Sequence, residues 1–145
     1  HLKNNQLLSI ESTINPGVMT EVVLPILAKR PEISLHVVHC PERVNPGDPK
    51  WSVRNIPRVI GGITPEATRS GKEFYESILD APVKEMGSVT EAEAVKILEN
   101  TFRDINIAFV NEMARSFDKL GIDVKNDFSI RMSLLKEKLR PYWKM

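Results

Sequence analysis

Apolar residues fall along this chain in two alternating patterns: short continuous runs, and longer stretches at helical spacing. Residues 7–11 (LLSIE) form a short apolar run that ends in the turn chemistry of 12–17 (STINPG), which predicts a buried strand. Residues 18–29 place Val22, Val23, Ile26 and Leu27 at helical spacing, and Pro25 predicts a kink or a later helix start. A second strand is predicted over 34–39 (SLHVVH), closed by Cys40-Pro41. The stretch 42–57, with three prolines and a glycine, reads as a long irregular loop of the kind that often carries function. A third strand is predicted over 58–60, with Gly61-Gly62 as a turn. Thr64 as cap, Pro65 in the first helical position and Glu66 at the positive end of the dipole predict a helix to about residue 79. A fourth strand is predicted over 82–86. Strand, helix, strand, strand, helix, strand is the order of half an open α/β sheet.

The next element is the longest. Ser88-Val89-Thr90-Glu91 has the form of a capping box, and helical spacing continues to Leu120, where Gly121 can cap the end with Ile122 behind it. Val95, Leu98, Phe102, Ile105, Phe109, Met113, Phe117 and Leu120 make one stripe, and Ile107, Ala108 and Val110 add apolar surface on other sides. A helix apolar on more than one face needs cover on more than one side, which predicts a partner subunit or another domain over 88–120. A further amphipathic helix is predicted over 128–139, stopped by Pro141.

Composition narrows the function classes. Twenty basic against 19 acidic residues give a net charge of +1, so nothing points to nucleic acid or an anionic membrane as partner. No apolar run approaches the ~18 residues of a membrane span. Cys40 is the single cysteine, which excludes an internal disulfide and fits a reducing, cytoplasmic setting. His36 and His39 lack a carboxylate or cysteine at ligand spacing, so no metal site is expected. The chain starts on His1 with a strand almost at once, and is expected to be an internal section of a longer protein.

Three constellations can carry chemistry. Ser12 and Thr13 follow a strand, at the carboxyl edge where open α/β sheets bind ligands; they can contact a ligand there or simply stabilise the turn. Glu42 and Arg43 follow the second strand, as a positioned base with its neighbour or as a surface ion pair. Lys96 and Asn100 share a helix face that Arg103 continues; they can stabilise an oxyanion, or form a solvated polar stripe.

Taken together, PERVNPG (41–47), IPRVIGGITPE (56–66) and AEAVKILENTFRDINIAFVNE (92–112) resemble, in order and spacing, consecutive motifs of the UDP-glucose/UDP-N-acetylmannosamine dehydrogenase family. The resemblance spans about residues 7–124, and its wording is closer to the N-acetylhexosamine branch. It implies a partial Rossmann-like sheet over 1–86, the trailing half of an NAD-binding domain. It further implies a central helical segment over 87–145 that forms a homodimer through the 88–120 helix. The implied activity is NAD-dependent oxidation of a UDP-sugar, UDP-N-acetylmannosamine in particular, to its uronic acid by two successive hydride transfers. A cysteine thiohemiacetal lies between the two transfers, and the second transfer oxidises it to a thioester that water hydrolyses.

Carried onto this chain, the resemblance makes Thr13, Glu42, Lys96 and Asn100 catalytic. Thr13 would help hold the reacting water near the nicotinamide. Glu42 would be the general base of thioester hydrolysis, and Lys96 with Asn100 would stabilise the negative oxygen. Ser12 and Thr13 would contact cofactor; Glu42, Arg43, Lys96, Asn100 and Arg103 would contact substrate. The sequence departs from the family in lacking a G-x-G-x-x-G fingerprint and the motif of the catalytic cysteine, which Cys40 does not replace. The chain is therefore expected to be inactive alone. The competing expectation is a non-catalytic dimerisation module of the same shape.

Overall fold

The computed structural model describes residues 2–44 and 49–121. Backbone contacts divide the chain into two compact units, His1–Asn100 and Thr101–Met145. In the first, β1 (Gln6–Ile10) is followed by a π-helical turn (Met19–Val23), α1 (Leu24–Leu27) and β2 (Leu35–His39). Next come β3 (Arg58–Gly62), α2 (Pro65–Ile78) and β4 (Val83–Glu85), and then α3 (Val89–Lys119), which continues into the second unit. The architecture is the α/β arrangement expected from the order of elements. The predicted helix over 128–139 and the contact at Ile122 lie outside the described residues.

The sheet runs in the order β1-β2-β3-β4. β1 and β2 are parallel through five aligned pairs, from Gln6 opposite Leu35 to Ile10 opposite His39. β3 and β4 are parallel, but β2 and β3 are antiparallel through Val38 opposite Gly62 and His39 opposite Gly61. The glycine pair thus belongs to a strand and is not the predicted turn. The reason is space: a Cβ on Gly61 would stand 2.8 Å from the Cα of Val89, and one on Gly62 would stand 2.5 Å from the Thr68 nitrogen. Only bare backbone lets the starts of α3 and α2 approach the sheet this closely.

Side chains alternate across the strands, as period-two geometry requires. Val38, Cys40, Ile60 and Val83 pack with Ala67 and Tyr75 of α2, and Leu7 closes this layer. Val37 faces the opposite side with Met19 and Val89, covered by Leu8, Ile10, Val23 and Leu27. Each fully buried side chain of this size contributes about 1.5–3 kcal/mol. Pro25 explains why residues 18–29 are not one regular helix. The Leu24 N–H reaches back to the Met19 carbonyl, closing a π turn, and α1 restarts with Pro25 in its first turn, where a missing N–H does no harm.

The caps follow the local sequence. Thr64 Oγ1 accepts from the Ala67 N–H at 3.1 Å. Ser88 Oγ accepts from the Glu91 N–H at 3.1 Å, while the Glu91 carboxylate returns to the Gly87 N–H at 2.8 Å, one residue before the position a capping box would use. Gly121 takes φ +70°, the left-handed conformation expected past a helix end. Among the described residues no helix is long and apolar enough to cross a membrane.

Candidate active site

Because β1 and β2 are parallel, their carboxyl ends lie side by side, and the segments that follow them carry the predicted groups. Ser12 and Thr13 are exposed just past β1, and neither hydroxyl has a hydrogen-bond partner among the described residues. Glu42 and Arg43 are half-buried past β2, and the Glu42 N–H donates to the Glu11 carbonyl at 3.2 Å, stitching the two segments together. The Glu42 carboxylate accepts from the Val44 N–H.

The first turns of α3 bring the third constellation to the same edge. Glu93, Lys96 and Asn100 stand at i, i+3 and i+7, on one helix face. The structure corrects the reading of this face as a solvated stripe: Glu93 is 0% and Lys96 8% exposed, whereas Leu98 on the other side is 70% exposed. The first turns of α3 thus bury Glu93 and Lys96 together with Val89 and Ala92, while Leu98 of the apolar stripe stays exposed. Glu93 makes this possible. Its carboxylate accepts from the Gly17 and Met19 N–H groups, each at 2.8 Å, at the start of the π turn. Free N–H groups at a helix start are a natural seat for an anion, so the buried charge is satisfied. Gly17, at φ +98°, gives the chain the left-handed step that aims its N–H at Glu93.

Lys96 has no such compensation. No hydrogen bond or ion pair to it exists among the described residues. Its stem is buried, and an ammonium without a counter-ion at the rim of such a site favours an incoming negative charge. Asn100, one turn further on, is half-buried. Arg43 is otherwise engaged. Its Nε donates to Glu99 Oε2 at 3.0 Å, a second nitrogen donates to Glu99 Oε1, and a third donates to the Pro57 carbonyl at 3.0 Å. Arg103 is an exposed residue of α3 in the second unit.

Beneath the strand ends lies a polar network absent from the sequence reading. Arg58 is 2% exposed and donates to Glu11 Oε2 at 2.9 Å; Tyr75 Oη donates to Glu11 Oε1 and contacts Ser9 Oγ, both at 2.7 Å. Burial works against the Arg58 charge, but the hydrogen bond and charge of Glu11 outweigh it and hold its pKa above the ordinary value. Burial pushes the Cys40 thiol up to about 11, against the pull of Arg58. Such a thiol is a poor nucleophile at neutral pH, as expected of a small core residue. The only available signal for this network was an arginine opening an otherwise apolar strand.

His39 is fully buried, and neither ring nitrogen has a hydrogen-bond partner among the described residues. Burial lowers its pKa, while the Ile10 backbone and the charge of Glu93 push the other way without reversing the shift. A lowered folded pKa means that the unfolded chain binds the proton first. Stability on this account is complete above about pH 6.5 and declines as pH falls below it. The urea midpoint is expected to drop between about pH 7 and pH 5, and His39→Leu is expected to flatten that slope. An unchanged slope in the variant would assign the decline to other groups.

Comparison with known proteins gives the family of this fold. Residues 1–79 match the NAD binding domain of the UDP-glucose/GDP-mannose dehydrogenase family, and residues 90–131 match its central domain. UDP-N-acetyl-D-glucosamine 6-dehydrogenase of Pseudomonas aeruginosa is 38% identical over 128 residues, covering 86% of this chain and 30% of its own length. UDP-N-acetyl-D-mannosamine dehydrogenase of Methanocaldococcus jannaschii is 41% identical over 124 residues, covering 86% and 28%. The solved UDP-N-acetyl-mannosamine dehydrogenase of Staphylococcus aureus superposes with a TM-score of 0.75 at 33% identity, over 89% of this chain and 32% of that one. The chain thus spans about 30% of the length of the curated relatives it matches. NAD, expected from the motifs, is the cofactor of the domain that residues 1–79 match. With two domains of one family matched in consecutive order, each over the segment that forms it, the chain belongs to the UDP-glucose/GDP-mannose dehydrogenase family.

Proposed function

We propose that this chain supplies the strand-end and central-helix part of an NAD-dependent UDP-N-acetylhexosamine 6-dehydrogenase, with UDP-N-acetylmannosamine as substrate. The observation that carries the reading is Lys96: a lysine 8% exposed, with no counter-ion among the described residues, on a helix face turned toward the strand ends. In this reading residues 1–86 are the trailing half of the NAD-binding domain and 87–145 the central helical segment, in a cytoplasmic enzyme. The residues past β1 fit part of the cofactor: Ser12 and Thr13 offer exposed hydroxyls at the correct sheet edge. The pyrophosphate fingerprint is absent from the sequence, so the chain alone is proposed to be inactive.

When bound, NAD accepts the hydride from the sugar C6 carbon. Lys96 and Asn100 act on the oxygen that carbon bears, a cation and an amide donor stabilising its negative charge. Glu42 holds the proton taken from the hydrolytic water, and Thr13 orients that water. Arg103 is proposed to contact substrate. In an enzyme carrying this chain, NAD and UDP-N-acetylmannosamine are expected to give NADH and the uronic acid. An active preparation that turns over UDP-glucose and not the N-acetylated sugar would overturn the substrate, and no NADH from any UDP-sugar would overturn the reaction.

The exposed apolar residues of α3 support the homodimer. Ile105, Ile107 and Phe109 in the second unit are each more than half exposed. Light scattering is expected to give twice the monomer mass, and Ile105→Glu with Phe109→Glu is expected to give monomer. The same exposed surface would serve a non-catalytic dimerisation module; retention of the dimer with no NADH formation in an intact enzyme would favour that reading.

A further inference from the structure

We infer that Arg43 and Glu99 form a positioning clamp that fixes Glu42 relative to Lys96 and Asn100, and that Arg43 does not contact substrate. The inference rests on the reaction proposed above. Glu99 lies between Lys96 and Asn100 in sequence, on the turn of α3 that presents both. Its two carboxylate oxygens take two nitrogens of Arg43, and the third nitrogen of Arg43 holds the Pro57 carbonyl. One side chain therefore joins three segments: the residues past β2, the end of the long connection before β3, and the catalytic turn of α3.

The bidentate fork matters because it restricts orientation as well as distance. Glu42 is the neighbouring residue, so the backbone that carries the proposed base is pinned directly beside the clamp. Both members are partly shielded, at 25% and 31% side-chain exposure, so the pair is screened less than a surface ion pair. Three of the five Arg43 N–H groups donate within the protein, one from each nitrogen, which fixes the plane of the guanidinium in the clamp. Misplacing a reacting group by about 1 Å can cost ~10²-fold in rate, so a clamp at this point acts on turnover more than on binding.

The test combines charge reversal with two independent readouts. In the intact enzyme, Arg43→Glu and Glu99→Arg are each expected to lower kcat by about 10–100-fold, with KM for the UDP-sugar changed less than about threefold. The double variant, which restores the pair with its charges exchanged, is expected to recover at least tenfold in kcat over either single variant. A large rise in KM confined to the Arg43→Glu variant and kept in the double variant would make Arg43 a substrate contact and overturn the clamp. Single variants with wild-type kcat would overturn it as well.

Hydrogen exchange on the present chain provides the second readout. The amides of Glu42, Val44, Ile56 and Arg58 are expected to exchange at least tenfold faster in either single variant and to recover in the double, while β1 stays protected. If the intact wild type gives no NADH, the proposed reaction fails and the exchange pattern alone decides whether the clamp exists. Unchanged exchange in the single variants overturns it.

Discussion

Replacing Lys96 by methionine in the intact enzyme is expected to lower turnover by roughly 10²–10³, the scale for removing one stabiliser of a developing oxyanion. The same change is expected to leave the fold as stable as before, or more stable. Both halves follow from one fact: the Lys96 stem is buried, and its ammonium has no counter-ion among the described residues. Methionine keeps the apolar stem and removes a charge that the folded protein does not compensate. Lys96→Ala should lose the same turnover but also some stability, because it leaves a gap beside the sheet. A methionine variant that is active at wild-type rate would remove Lys96 from the chemistry. One that is strongly destabilised would mean that its ammonium has a structural partner.

The second large effect is an asymmetry in the network under the strand ends. Glu11→Ala is expected to cost about 2–3 kcal/mol, and Arg58→Met clearly less. Arg58 is 2% exposed and is ion-paired with Glu11, so removing the glutamate strands a guanidinium away from water. Glu11 is 47% exposed, so removing the arginine leaves a carboxylate that water can reach and that Tyr75 still hydrogen-bonds. The first figure is set below the 3–5 kcal/mol typical of breaking a fully buried pair because Glu11 is half open to solvent. In urea this corresponds to a midpoint lowered by about 1–2 M for Glu11→Ala. Equal losses, or a larger loss for Arg58→Met, would show that the arginine stabilises through packing against Tyr75, whose ring centre lies 5.6 Å from it.

What could be read from the sequence was written locally. Thr64-Pro65-Glu66, Ser88 and Gly121 carry their meaning within one helical turn, and the elements they bound appear where expected. Thr13 and Glu42 lie just past strand ends and Lys96 and Asn100 share one helix face, as local pattern and spacing predict. What could not be read depends on partners far along the chain. Gly61-Gly62 looks like a turn by propensity, and becomes strand because Ser88, Val89 and Thr68 approach too closely for any side chain. Glu93 and Glu99 differ from the exposed Glu91 in nothing but their partners, Gly17 at 76 residues' separation and Arg43 at 56. Spacing placed Lys96 on a polar face; only the seat that Gly17 and Met19 provide for Glu93 explains why that face is the buried one.

The antiparallel seam between β2 and β3 has a kinetic consequence. It joins only two residue pairs, against five between β1 and β2, and it is reached by closing the long connection that begins after Cys40. Loop closure there returns two aligned pairs for its entropy, whereas closing 6–39 and 58–85, at similar sequence separation, returns five and three. The two halves should therefore form first and dock late, along α2, where Gly71 lies against both Val38 and Ile60. Truncating Val38 to alanine should then speed unfolding while hardly slowing folding, a φ-value near zero, whereas Val83→Ala within the second half should slow folding measurably. Docking along α2 would be the last step to form and the first to be lost.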